Sequence, residues 1–213
     1  MVRFSIFGIP VEVQPWFWIS LVLISVGGAG DIDTSYGILL IGLFVLAGFI
    51  SILVHELGHA LTARAFGANA AITLQAFGGY AAYSGARMTR TKSFLITAAG
   101  PLIQIVLGLL VFGAVSVLPE LSQAMHYFLG TLMLISFFWA ILNLLPILPL
   151  DGGQMLNALL GPARIQITLW ITIISAVVAG ALLFIYNRSI IFPIFLAMFA
   201  WQAFQALKEV RGR

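Results

Sequence analysis

Six long apolar runs, divided by short breaks that carry nearly all the charge, leave this chain one kind of solvent to fold in. The runs cover residues 16–28, 36–66, 93–118, 125–145, 165–186 and 189–207. A helix that crosses a bilayer needs about 20 apolar residues. The first run is shorter, and its Trp16, Phe17 and Trp18 suit the membrane–water interface. Only 8% of the 213 residues are charged, against about 25% in a soluble domain, so the chain cannot cover a water-facing surface. The expected fold is an all-α polytopic membrane protein of six transmembrane helices, forming one integral-membrane domain over 1–213. The lead-in "MVRFSIFGIPVEVQP" alternates and holds Glu12 and two prolines before the first run. It reads as one or two short strands, or an amphipathic lead-in lying at the interface, rather than a cleaved signal peptide. The polar-leaning interval 68–92 is too short for a soluble domain. The few basic residues sit at segment ends, which argues against nucleic acid as a partner, and the lack of cysteine excludes thiolate metal ligands.

Basic residues orient the spans. With the N-terminus in the cytoplasm, Arg3, Arg64, Arg87, Arg90, Lys92, Arg164, Lys208, Arg211 and Arg213 all lie inside and only Arg188 outside. Six spans then return the C-terminus to the cytoplasm as well.

Against this background "HELGH" is costly, because ionisable groups within a membrane need compensation. His55 and His59 stand four residues apart, on one face of a helix, with Glu56 on the same turn. The pattern H-E-x-x-H pairs two zinc-binding imidazoles with a general-base glutamate. In a chain of this composition it arises by chance on the order of 10⁻³ times. A bare pair of interface histidines is the blander reading, and the intervening glutamate disfavours it.

A hydrolytic zinc site takes three protein ligands. Glu12, Asp31, Asp33, Glu120 and Glu209 lie at termini or loops, and His126 lies at the outer end of the fourth span. Asp151 follows "NLLPILPL" at the inner end of that span. The second and fourth spans run in the same direction, so HELGH and Asp151 are expected at the same membrane depth. Asp151 is either the third ligand or a cap for the short segment after it. Gly152 and Gly153 are expected to allow an abrupt turn.

Together "HELGH", "FGGY" (77–80), "AAGPLIQ" (98–104) and "NLLPILPLDGG" (143–153) resemble the site-2 protease family of intramembrane zinc metalloproteases, peptidase family M50, in order and across nearly the whole chain. The resemblance implies a compact form without a PDZ or CBS domain. It implies one Zn²⁺ per chain held by His55, His59 and Asp151, with Glu56 as base, and a prokaryotic cell membrane as its setting. It further implies a substrate-binding or oxyanion role for Asn143, and a re-entrant β-hairpin between helices 2 and 3 carrying Phe77, Gly78, Gly79 and Tyr80 to the substrate. Without the resemblance that stretch reads as an ordinary loop hairpin. Gln104 stands where relatives often carry Asn; it is counted with the substrate-binding or oxyanion group and is expected to reach the site or a neighbouring helix. The implied partners are a transmembrane protein or peptide substrate and the lipid bilayer, with a homodimer left open. The rival reading is a non-catalytic zinc-binding scaffold or a metal transporter. A transporter is expected to spread ionisable residues along several spans, whereas here they gather at one depth.

Overall fold

The computed structural model describes residues 1–28, 33–118, 120–187 and 191–211. Part of the loop "GAGDIDTS", Arg188, Ser189 at the start of the sixth run and Arg213 therefore lie outside the described residues. Packing divides the chain into two compact units, Met1–Arg87 with Ala99–Ala140 and Met88–Ala98 with Ile141–Arg213.

The first unit opens with β1 (Val2–Ile6) and β2 (Ile9–Val13), an antiparallel hairpin turned by Phe7 and Gly8. Both turn residues have positive φ, 52° and 74°, which matches the two-residue turn favoured by strand twist. Helix α1 (Pro15–Gly28) follows, then α2 (Ser35–Ala65), whose first turn is capped by the Thr34 hydroxyl accepting from the Gly37 N–H at 3.0 Å. Strands β3 (Asn69–Gln75) and β4 (Gly78–Ser84) form a second hairpin. The two hairpins join into one four-stranded sheet in the order β1-β2-β3-β4. The junction is parallel and pairs Val11, Glu12 and Val13 with Ile72, Thr73 and Leu74. Period-2 alternation puts Ile9, Val11, Val13, Ile72 and Leu74 on one buried face, packed with Phe17, Leu21, Ile52, Leu53 and Ala60. The lead-in thus forms two short strands, half of a four-stranded sheet.

Helices α3 (Arg90–Val117) and α4 (Gln123–Leu144) complete this unit with their parts within it, residues 99–117 and 123–140. Ala47, Val111 and Leu132 form the core between α2, α3 and α4. At Gly58, α2 meets α3 with no room for a side chain: a Cβ there would lie 2.6 Å from the Ala99 carbonyl oxygen and 2.7 Å from Ile103.

In the second unit, α4 ends at Leu144 and a tight loop leads to α5 (Asp151–Leu160). One 3-10 turn, Pro162–Arg164, precedes α6 (Ile165–Asn187), which pairs with α7 (Ile191–Arg211). Two apolar clusters, around Ile147, Ala176 and Leu196 and around Leu169, Ala203 and Leu207, fill this unit. The loop keeps its backbone satisfied internally, as an apolar environment demands. The Leu148 N–H donates to Thr172 Oγ1 at 3.1 Å, the Gln154 side chain donates to the Pro149 carbonyl at 2.9 Å, and the Leu150 N–H donates to the Ile147 carbonyl at 2.7 Å. Arg90 donates to the carbonyls of Ala158 and Leu159, closing the C-terminal end of α5.

Among the described residues, four helices are long and apolar enough to cross a membrane: Ser35–Ala65, Arg90–Val117, Gln123–Leu144 and the segment Pro162–Ile185. Helix α1 has 14 residues, a rise of about 21 Å, which is less than the roughly 30 Å of a hydrocarbon core. The second half of α7 carries Gln202, Gln205, Lys208 and Glu209.

Candidate metal centre

His55 and His59 lie one turn apart in the last third of α2, and both are buried with Glu56 between them in sequence. Their rings meet edge-on, with Nε2 of one 3.1 Å from Nε2 of the other. Two imidazole nitrogens on one tetrahedral zinc stand about 3.3 Å apart, so the pair already has the spacing of two ligands on a single ion.

Glycines shape the walls. A Cβ on Gly100 would lie 2.3 Å from His59 Nε2, so α3 presents bare backbone to that ring. A Cβ on Gly79 would lie 3.0 Å from Glu56 Cγ and Oε1, so β4 presents bare backbone to the carboxylate. In the sheet order β4 is an outer strand, paired only with β3 among the described strands. Phe77 and Tyr80, beside the glycines, are exposed, and Phe77 adopts φ 60°. The Phe77 N–H donates to Ser20 Oγ on α1 at 3.2 Å, tying the hairpin tip to the first helix. Arg64, on the next turns of α2, donates to the Phe7 carbonyl in the β1–β2 turn.

Gln104 is fully buried and reaches the histidines from behind. Its Oε1 stands 3.0 Å from His55 Nδ1, and its Nε2 donates to Ser51 Oγ at 2.8 Å. Ser51 and Ser136, which also belong to this cluster, went unnoticed in the sequence. Their signal was a serine within an apolar stretch on each of two helices, Ser51 one turn before His55.

Two residues of interest lie in the second unit. Asn143 sits half-buried on the last turn of α4. Asp151 is buried and opens α5. The cap of α5 is Leu150, which makes no side-chain cap hydrogen bond, so Asp151 is not the capping residue. Gly152 and Gly153 are helical residues, not the abrupt turn expected from the sequence. A Cβ on Gly152 would lie 2.2 Å from the Leu144 carbonyl oxygen, and one on Gly153 would lie 2.4 Å from Ile147 C and Leu148 N. Close packing of α5 on the preceding loop, rather than backbone freedom, requires glycine there.

This fold, with an H-E-x-x-H pair buried in an apolar helix, places the chain in a known class. The Peptidase M50B-like profile matches residues 39–151 and that of Peptidase family M50 matches residues 119–186. The chain belongs to this peptidase family. It is 36% identical over 166 residues to a Synechocystis sp. protein named as a zinc metalloprotease, covering 73% of this chain and 42% of that protein. It is 33% identical over 158 residues to a zinc metalloprotease of Methanocaldococcus jannaschii, covering 74% of this chain and 44% of that protein. The chain thus spans less than half the length of these two relatives. The solved structure of the site-2 protease from Methanocaldococcus jannaschii superposes with a TM-score of 0.67 at 25% identity, covering 97% of this chain and 94% of that one.

Proposed function

We propose that the chain is an intramembrane zinc metalloprotease that hydrolyses peptide bonds of transmembrane substrates near the cytoplasmic face. The observation that carries this reading is the His55–His59 pair at ligand spacing, with the buried carboxylate of Glu56 beside it and the backbone of an edge strand against that carboxylate.

His55 and His59 would hold one Zn²⁺ through Nε2, with Asp151 as the third protein ligand. All three are buried and carry the donor types of a catalytic zinc site. Neutral imidazoles and one carboxylate leave the metal partly uncompensated, which suits a Lewis acid. When bound, zinc polarises a carbonyl and makes a water acidic near neutral pH. Glu56 accepts the proton released as water attacks and returns it to the leaving amine. Asn143 is assigned an amide donor to the developing oxyanion on the family resemblance.

A transmembrane helix hides its peptide bonds in its own hydrogen bonds, so the substrate has to be drawn out into extended chain. The outer edge of β4 offers main-chain partners for such a segment, the strand-addition mode of recognition. Gly78 and Gly79 let a second backbone come close, while Phe77 and Tyr80 are exposed for side-chain contact. In this reading the β3–β4 hairpin dips into the membrane. Helices α1 and α7 join the four long helices as the first and sixth spans, and both termini are cytoplasmic, following the basic residues.

The test is Glu56→Gln, assayed on a membrane-embedded reporter together with zinc content. Loss of cleavage with zinc retained is expected. Cleavage at the wild-type rate removes Glu56 as the base. A wild-type protein that binds zinc but cuts no membrane-embedded peptide favours the scaffold or transporter reading.

A further inference from the structure

Behind the histidines a chain of hydrogen bonds runs through three helices, and its polarity can be deduced from its fixed end. Ser136 Oγ lies 2.7 Å from the Leu132 carbonyl, one turn back on α4. A carbonyl only accepts, so the one hydroxyl hydrogen of Ser136 is committed there. Ser51 Oγ lies 3.0 Å from Ser136 Oγ, so Ser51 donates and its own hydrogen is spent in turn. The Gln104 side-chain atom 2.8 Å from Ser51 Oγ has to be a donor, and so is the NH₂ group. The same NH₂ also faces the Ser51 carbonyl at 3.3 Å, a second pure acceptor. The amide oxygen is thereby turned to His55 Nδ1 at 3.0 Å. An amide oxygen only accepts, so Nδ1 carries the proton.

We infer that Gln104 is a positioning residue that fixes His55 in its Nδ1–H tautomer and so presents the Nε2 lone pair for metal binding. Nε2 is the atom 3.1 Å from His59 Nε2. This inference rests on the reading of His55 as a zinc ligand. Gln104, Ser51 and Ser136 are each 0% exposed and His55 3%, so water cannot scramble the order of donors. Metal-binding histidines generally take their orientation from a partner on the second ring nitrogen, and loss of such partners lowers metal affinity about 10–100-fold. Here the partner is itself directed by backbone carbonyls on α2 and α4.

The experiment uses the full chain in detergent, labelled with ¹⁵N-histidine and loaded with zinc. The His55 signal is assigned by its absence in His55→Ala. Nδ1–H with Nε2 on the metal is expected in the wild type, and a proton on Nε2 overturns the inference without any variant. In Gln104→Met, which keeps volume but neither donates nor accepts comparably, zinc affinity measured by chelator competition is expected to fall about 10–100-fold, with the His55 tautomers mixed. Wild-type affinity with the Nδ1–H signature intact in Gln104→Met reduces Gln104 to packing. Zinc bound undiminished by His55→Ala overturns the ligand reading instead, so the two failures are told apart.

Discussion

Gly79 of β4 lies against Glu56 of α2 so closely that a Cβ on the glycine would stand 3.0 Å from the carboxylate's Cγ and Oε1. The strand edge assigned to substrate and the side chain assigned to proton transfer are in van der Waals contact. In the proposed function, a segment pairing with that edge would come alongside the carboxylate.

Gly79→Ala therefore forces either Glu56 or the strand to move, since Leu74 Cδ2 would also be only 2.8 Å away. Displacement of a catalytic group by an ångström can cost about 100-fold. We expect reporter cleavage to fall at least about tenfold while zinc content stays at the wild-type level. Full activity in this variant removes the contact from the mechanism.

Gly100→Ala acts on the metal instead. Its methyl group would overlap the His59 ring, 2.3 Å from Nε2 and 2.4 Å from Cε1, and the ring has to leave its place opposite His55. Zinc affinity is expected to drop at least about tenfold, read by metal analysis after dialysis against a chelator. The helix itself should persist, because alanine is the better helix former. Stoichiometric zinc at wild-type affinity contradicts this.

Asp151→Ala separates a ligand from a helix-end acid. Because Leu150 is the cap, α5 should persist without the carboxylate, whereas zinc binding should weaken sharply. Undiminished zinc binding takes Asp151 out of the ligand set.

Thr172→Val keeps shape and removes the acceptor of the Leu148 N–H. An unsatisfied buried donor costs about 1–3 kcal/mol. Thermal unfolding in detergent should show that loss, and Thr172→Ser should restore most of it. Equal stability of the valine variant indicates that the N–H has found another acceptor.

The positions of the helices were legible because length and apolarity are imposed by the membrane: each of the six runs reappears as a helix within a few residues of its expected ends. The H-E-x-x-H face was legible because helix geometry alone brings positions 55 and 59 together. The parallel pairing of β2 with β3 was not, since Val11 and Ile72 are joined only by the folding of everything between them. Gly152 and Gly153 were misread because a glycine pair after prolines signals a turn as readily as a close approach, and only packing decides. Gln104 was visible as a polar residue in an apolar run. Its partner depended on the rotation of α3, which no local pattern reports. Ser51 and Ser136 were passed over because a serine in an apolar helix ordinarily bonds back to its own preceding turn. Ser136 does so, and it also accepts from Ser51.

The glycine at position 58 has a mechanical consequence. Where α2 and α3 meet at Gly58 and Ala99, two backbones touch with no flexible atoms between them, one residue from His59 on one side and from Gly100 on the other. A contact this close leaves little room for the two helices to shift at that level, and it holds the histidine face and its wall of bare backbone at a fixed spacing. In the proposed function, the movement that admits a substrate would fall to elements other than this crossing.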